Sequence, residues 1–294
     1  MKKTLTILAI ACVAFVFTGC QKDGVYNPSK KISKIYYTST SGNKSLDQIW
    51  TWNEKLLDKI DFYYDGTVEE TYRFNYDKNR LTRMDRYAYG NVHSIEYKYD
   101  GSHLSEANVF YSGSLNYTYK FSYKSGKLES MTCTSTSKGV KEETKIHPLY
   151  FVFGPEISQC IEKSEKALAE KHNGKSIDIE TYKFTWKNGE VSQCVISYQG
   201  DGYSEITYKY TYDKKKNPFS GALINLYPEN NIGSLCKHNI TKIDLTIMSD
   251  GESYNQVVNI DYSYKDNYPI SKRETAIYNG EVDTGGLYEY EYMN

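Results

Sequence analysis

The strongest constraint on this chain is an aromatic–x–aromatic triplet that recurs nine times, in most cases followed by a short turn and an aliphatic residue that opens the next strand. The triplets end at Trp52, Tyr76, Tyr99, Tyr123, Phe153, Trp186, Tyr212, Tyr264 and Tyr292. The aliphatic starts fall at Ile32, Leu57, Leu81, Leu104, Leu128, Ile157, Val191, Ile240 and Ile270. Three residues past most starts stands another apolar residue: Ile35, Ile60, Met84, Ala107, Met131, Cys160, Cys194 or Ile243. The first four triplets lie 23 or 24 residues apart. That interval holds two strands of about nine residues and two turns.

Within each unit the alternation is strict. Tyr72, Phe74 and Tyr76 alternate with Arg73 and Asn75; Tyr208, Tyr210 and Tyr212 alternate with Lys209 and Thr211. Period two with one polar face specifies an antiparallel sheet with a single buried side. Asp65-Gly66, Asp100-Gly101, Ser112-Gly113, Asn188-Gly189, Asp201-Gly202 and Asn279-Gly280 supply turn chemistry between the runs. The expected fold is all-β: a large antiparallel meander of about 18 strands from nine hairpin repeats, curled or flattened into a barrel or sandwich. Two stretches fit less well. Residues 157–171 contain a helix-favouring Glu-Lys-Ala-Leu-Ala run, but the shared register of Ile157-Ser-Gln-Cys160 and Val191-Ser-Gln-Cys194 argues for strand. Residues 213–239 show little alternation and form an irregular insertion, a length of loop that usually carries a role.

Orientation follows from size. Eighteen strands in a circular barrel would span roughly 36 Å, so aromatics lining a wide wet lumen would not be buried. Either the aromatic sides meet or the aromatic face looks outward into lipid. Tyrosine at mid-strand, short turns at both ends and the closing Tyr292-Met293-Asn294 argue against a membrane-spanning barrel. The expectation is therefore Phe74, Tyr97, Phe121, Phe184, Tyr210 and Tyr262 inside, with Arg73, Lys98, Lys120, Lys183, Lys209 and Asp261 outside. Buried tyrosine hydroxyls should reach rims, waters or a central cavity.

The N-terminus gives an address. Lys2 and Lys3 precede the short apolar run Leu5–Phe17, and Phe17-Thr18-Gly19-Cys20 resembles a bacterial lipobox. Residues 1–19 read as a lipoprotein signal peptide, Cys20 as the acylated residue, 20–31 as a tether and 32–294 as one β domain. The implied location is the bacterial outer membrane, lipid-anchored, at the periplasmic face or the cell surface. Without the signal the chain carries 34 basic and 37 acidic residues, so its net charge points to neither nucleic acid nor an anionic membrane surface. Cys133, Cys160, Cys194 and Cys236 fit neither a metal nor a redox motif and read as free, buried thiols.

Chemistry is sparse. The histidines at 93, 103, 147, 172 and 238 are scattered, and no nucleophile elbow or phosphate loop appears. Glu69/Glu70, Glu142/Glu143 and Glu289/Glu291 read as a solvated face. Asp213-Lys-Lys-Lys-Asn217 is a poor calcium loop because three lysines oppose the cation. No catalytic residue, metal or cofactor is expected. Tyr36, Tyr63 and Phe110 fall off the buried parity and should face solvent, as should Tyr87 unless a bulge turns it. Exposed aromatics on alternate strands would stand about 10 Å apart, a spacing suited to sugar rings. Phe219 and Tyr227 in the insertion either cap one end of the sheet or contact a ligand.

Tyr76-Asp77 and Tyr99-Asp100, each followed by leucine at Leu81 or Leu104, resemble the tyrosine–aspartate repeats of Rhs-type shell proteins. A closer resemblance spans nearly all of the mature chain. Tyr212-Asp213, Lys216-Asn217-Pro218-Phe219, Asn239-Ile240-Thr241-Lys242-Ile243 and Asn267-Tyr268-Pro269-Ile270 look like a lipoprotein family of Bacteroides-type bacteria, a domain of unknown function with a porin-like fold. That resemblance implies a curled many-stranded antiparallel sheet and brings no activity with it. The functional expectation is a non-catalytic envelope protein that binds a glycan or protein ligand. A structural envelope partner and a porin-like channel are the alternatives.

Overall fold

The computed structural model describes residues 22–136, 179–199, 204–223, 228–249, 252–278 and 280–293. Sixteen strands run in chain order among them: β1 (Ile32–Thr38), β2 (Lys44–Asn53), β3 (Leu56–Tyr64), β4 (Thr67–Asp77), β5 (Arg80–Ala88), β6 (Asn91–Asp100), β7 (His103–Tyr111) and β8 (Ser114–Lys124). There follow β9 (Lys127–Ser135), β10 (Ile179–Lys187), β11 (Glu190–Gln199), β12 (Ser204–Lys216), β13 (His238–Ser249), β14 (Glu252–Lys265), β15 (Tyr268–Tyr278) and β16 (Glu281–Tyr292). Each pairs antiparallel with its sequence neighbours, β9 meets β10, and β16 returns to β1 to close a barrel. The barrel replaces the sandwich alternative. Its sixteen strands among the described residues compare with about 18 expected; the triplet ending at Phe153, the expected strand at 157–171 and Cys160 lie outside those residues.

A bulge explains the odd offset between each start and the next apolar residue. Tyr76 pairs with Leu81 while Asn75 pairs with Arg83, so Thr82 is an extra residue. The same register shift accompanies Trp52, Tyr99, Tyr123, Trp186, Tyr212 and Tyr264. One added residue restores the face. Leu81 and Met84, three apart, therefore both point inward, at 4% and 0% exposure.

Most of these bulges are closed by side chains. The last aromatic of a triplet reaches back to the carbonyl of the preceding start: Trp52 Nε1 to Ile32, Tyr76 Oη to Leu57, Tyr99 Oη to Leu81, Trp186 Nε1 to Leu128 and Tyr212 Oη to Val191, all at 2.6–2.9 Å. Tyr292 Oη gives the same bond to the Pro269 carbonyl, one residue before its start, at 2.7 Å. From the other side, the bulge residues Thr82, Ser105, Ser192 and Thr241 donate their hydroxyls to carbonyls of the incoming strand. These tyrosine hydroxyls thus find backbone rather than the rims or waters expected from sequence. A buried carbonyl left unpaired is costly, and the bulge places one within reach of a ring.

The faces are assigned as expected. Phe74, Tyr97, Phe184 and Tyr210 are buried, Phe121 and Tyr262 are half-buried against the same core, and Arg73, Lys98, Lys120, Lys183, Lys209 and Asp261 are exposed. Tyr72, Tyr119 and Tyr208 fall below 2% exposure, which an open circular lumen would not permit at their level. Cys133, Cys194 and Cys236 are free and buried.

Two segments close the end where the triplets finish, called here the triplet end. Asp23 and Gly24 lie across the turns: Asp23 N donates to Ser102 O (3.0 Å), and Leu81 N donates to Gly24 O (2.8 Å). Gly24 has φ +76°, and a Cβ there would overlap the Tyr99 hydroxyl. Tyr26, 5% exposed, donates to the Pro218 carbonyl at 2.7 Å and packs its ring 5.6 Å from Trp52. Phe219 sits 6.0 Å from Trp50 and 6.2 Å from Tyr290. The stretch read as a tether is therefore packed against the barrel from Asp23 onward, and the insertion at 213–239 contributes a stopper.

Replacing Tyr99 by Phe keeps the ring and orphans the Leu81 carbonyl, so it should cost about 1–3 kcal/mol in urea unfolding. Lys120→Ala, on the outer face, should change stability by less than about 0.5 kcal/mol.

Candidate functional site

The end opposite the triplet end, the far end, carries the features that packing does not explain. On the outer face of β3, β5 and β7 the positions of Asp61, Asp85 and Asn108 are followed two residues later by Tyr63, Tyr87 and Phe110. Each aromatic stands opposite an aliphatic residue of the next strand: Tyr63 with Val68, Tyr87 with Val92, Phe110 with Leu115. Val68 is 49% exposed, Tyr87 41%, Val92 40% and Leu115 38%, while Tyr63 and Phe110 are half-buried. At the lip Tyr64 and Tyr89 reach 71% and 74%, and Tyr89 Oη donates to Glu69 Oε2 at 2.8 Å. The strip spans six strands, about 24 Å at the usual spacing, with its rings on alternate strands about 10 Å apart.

Of the five sequence candidates, Tyr63 and Phe110 share this strip. Tyr36 is half-buried on β1 opposite Leu46, one hairpin away, with the Lys44 ammonium 4.9 Å from its ring centroid. Phe219 is at the other end of the barrel, in the stopper. Tyr227 and Cys20 lie outside the described residues. Tyr87 faces outward, as strict counting expects. Sequence reasoning overlooked Val68, Val92 and Leu115. The signal was present, since each is the second residue after a turn glycine: Gly66, Gly90 and Gly113.

The lumen near the far end is polar. A register shift between Phe62 and Tyr63 leaves Glu69 as an extra residue and turns Glu70 inward. There Glu70 accepts two hydrogen bonds from Arg86, at 2.9 and 2.5 Å. This corrects the reading of Glu70 as part of a solvated pair: a bulge one residue away changed its face. His93, opposite Arg86 in register, packs edge-on 4.5 Å from Tyr111. Burial, and then the Arg86 charge, hold its imidazole below the ordinary histidine range. Across the barrel Lys272 Nζ meets Glu274 Oε1 at 2.7 Å, both side chains buried, with the ammonium 4.8 Å from the Tyr288 ring centroid. Burial pushes the neighbouring Asp47 carboxyl up to about 6, against a hydrogen bond from Gln48 and the charge of Lys272. Glu70 and Glu274 are thus each tied to a cation, an arrangement that holds charge in place.

The outer surface between the two ends is densely charged. Lys59 pairs with Asp61, Arg83 with Asp85 and Glu96, Lys98 with Glu106, and Lys242 with Asp244. Lipid at that surface would make each Lys or Arg near the midplane cost about 2–4 kcal/mol.

No protein-family model matches the chain, and no curated protein matches it. Among solved structures it is similar to a porin-like protein from Bacteroides uniformis ATCC 8492, with a TM-score of 0.50 and 12% identity over 92% of this chain and 100% of that one. A porin-like protein from Bacteroides vulgatus ATCC 8482 follows, with a TM-score of 0.34 and 10% identity over 90% of this chain and 99% of that one. The first likeness is one of fold: a closed antiparallel barrel of porin-like architecture.

The raised Asp47 carboxyl has a definite sign. A carboxyl held above its unfolded value contributes stability below about pH 4 that is lost as pH rises through about 6. Asp47→Asn should therefore raise the melting temperature at pH 8, by the equivalent of about 1–2 kcal/mol, and leave it nearly unchanged at pH 4.

Proposed function

We propose that this protein is an envelope lipoprotein, acylated at Cys20 and held at the outer membrane, that binds glycan by docking rather than turnover. The observation that carries the reading is the outward strip at Tyr63, Tyr87 and Phe110, with its aliphatic partners and the exposed lip tyrosines. Six of the ten large apolar residues most exposed among the described residues are Tyr64, Val68, Tyr87, Tyr89, Val92 and Leu115, all at this end of β3–β8 and its turns. Apolar surface gathered so locally, on a barrel otherwise covered in charge, marks a binding face. Flat rings about 10 Å apart, edged by the carboxylates of Asp65 and Glu69, suit the apolar faces and hydroxyls of a sugar chain. The polar lumen just beneath holds Glu70 and Arg86 in a fixed pair, a rigid floor under the rim.

A porin-like channel is the second reading, favoured by the likeness in fold. Against it stand the charged outer surface and the stopper of Tyr26, Pro218 and Phe219 at the triplet end. A barrel that conducts across a membrane needs lipid outside and an open path inside.

Glycan-array screening of the mature protein, followed by titration of the best oligosaccharide, tests the assignment. Tyr63→Ala, Tyr87→Ala and Phe110→Ala together should weaken binding at least about 30-fold, since each stacked ring contributes on the order of 1 kcal/mol. Phe219→Ala should leave affinity unchanged. Binding that survives the triple substitution would place the ligand elsewhere, and absence of binding to any glycan would remove the class.

A further inference from the structure

A near-neutral total charge conceals a polarity along the barrel axis. Among the described residues the segments that form the triplet end (22–31, 52–58, 76–81, 99–104, 123–128, 186–191, 212–223, 228–239 and 264–269) hold fourteen Lys or Arg against nine Asp or Glu. Among the described residues the far-end segments (38–44, 63–69, 87–92, 110–115, 198–199, 204–205, 248–249, 252–253, 277–278 and 280–283) hold one Lys against six Asp or Glu. Lys55, Lys78, Lys124, Lys127, Lys187 and Lys265 are all exposed on turns of that end, Lys124 lying 3.5 Å from Glu129 and Lys127 over the Trp186 ring. Basic side chains thus predominate at one end and acidic ones at the other.

The N-terminal segment fixes which way that is. Asp23 is bound at its backbone and its side chain: its carboxylate accepts from Leu104 N at 2.8 Å and Tyr123 Oη at 2.7 Å, and its carbonyl accepts from Arg80 Nε at 2.9 Å. Arg80 also lies 3.8 Å from the centroid of the Tyr99 ring, which locks the segment over the β4–β5 turn. Cys20 is three residues before Asp23. Three residues span at most about 10 Å. An acyl group on Cys20 would therefore enter the bilayer within about that distance of the β4–β5, β6–β7 and β8–β9 turns. There is no slack to lift the barrel away while Asp23 stays docked.

We propose that the triplet end is a membrane-docking face whose partner is an anionic phospholipid surface, and that the far-end rim is held pointing away from it. The inference rests on the Cys20 anchor in the proposed function. Its chemistry is that of lysines at headgroup level, where each adds to attraction toward anionic lipid and salt screens the sum. The acidic far end, repelled by the same surface, reinforces the orientation.

Single-thiol reporters test it. Lys124→Cys marks the triplet end and Tyr89→Cys the far end, each combined with Cys160→Ser; the native thiols at 133, 194 and 236 are buried. The mature acylated protein is placed in liposomes of phosphatidylcholine, with or without phosphatidylglycerol, and labelled with a bulky maleimide. With phosphatidylglycerol, labelling of K124C should slow at least about tenfold relative to detergent solution and recover in high salt, while Y89C labels freely throughout. Equal labelling at the two positions, or slowing at Y89C alone, overturns the proposal. A second arm uses the chain from residue 20 with Cys20→Ala and no acyl group. It should co-sediment with phosphatidylglycerol vesicles and lose that binding when Lys55, Lys78, Lys127 and Lys187 become Glu. Mass spectrometry of the mature protein reports acylation independently. A chain that lacks the acyl group yet binds by those lysines refutes the anchor and supports the docking face; an acylated chain whose triplet-end thiol stays accessible refutes the docking face alone.

Discussion

Among the described residues, hairpins that end in an aromatic triplet leave a backbone carbonyl beside a bulge, and the barrel depends on how that carbonyl is satisfied. Tyr76, Tyr99 and Tyr212 answer with a hydroxyl, Trp52 and Trp186 with an indole N–H, each reaching across to the start of the hairpin before it. The bond has three consequences. It fixes the register of successive hairpins, because a slip by one residue would turn the ring outward. It gives several hydroxyls of a buried, tyrosine-rich face a backbone partner, whereas the buried Tyr97 hydroxyl has none. It also draws the rings over the triplet end, where Tyr26 and Phe219 complete the closure. Where the pattern is interrupted, another group takes over. Tyr123 donates to Asp23 rather than to a start carbonyl, and that exchange binds the N-terminal segment to the barrel.

Much of this was legible in the sequence. Alternation at Tyr72–Tyr76 and Tyr208–Tyr212 specified the faces correctly, and even the three-residue spacing from Leu81 to Met84 recorded the bulge. What escaped were groups whose face depends on a second irregularity. Glu70 sits beside a carboxylate neighbour and reads as solvated, yet the extra residue at Glu69 sends it inward to Arg86. Tyr26 lies in a polar, glycine- and proline-containing stretch with the composition of a linker, and only its contacts with Pro218 and Trp52 reveal a plug. Such contacts are long-range, across 192 residues in the first case, and no local pattern encodes them. Of the candidate contacts, Tyr63 and Phe110 were found by parity. Their aliphatic partners were not, because each looks like an ordinary strand residue until cross-strand register pairs it with a ring.

Likeness of fold to a porin-like barrel does not carry the same surroundings. In a membrane barrel, lipid meets the apolar face and water the polar one. In this chain the relation is reversed: rings fill the interior and ion pairs such as Arg83 with Asp85 and Glu96 cover the exterior. The same strand period can serve either solvent, and the residues that fill each parity decide which. The two ends of the barrel differ in charge and in closure.

Hydroxyl-radical footprinting of the protein in detergent-free buffer measures this inside-out assignment most directly. Tyr64, Tyr87 and Tyr89 should oxidise rapidly, while Tyr72, Tyr119 and Tyr208, at 1%, 0% and 1% exposure, should be protected until the barrel unfolds. Rapid oxidation of the latter three in the folded protein, or a need for detergent to keep the barrel in solution, would contradict it.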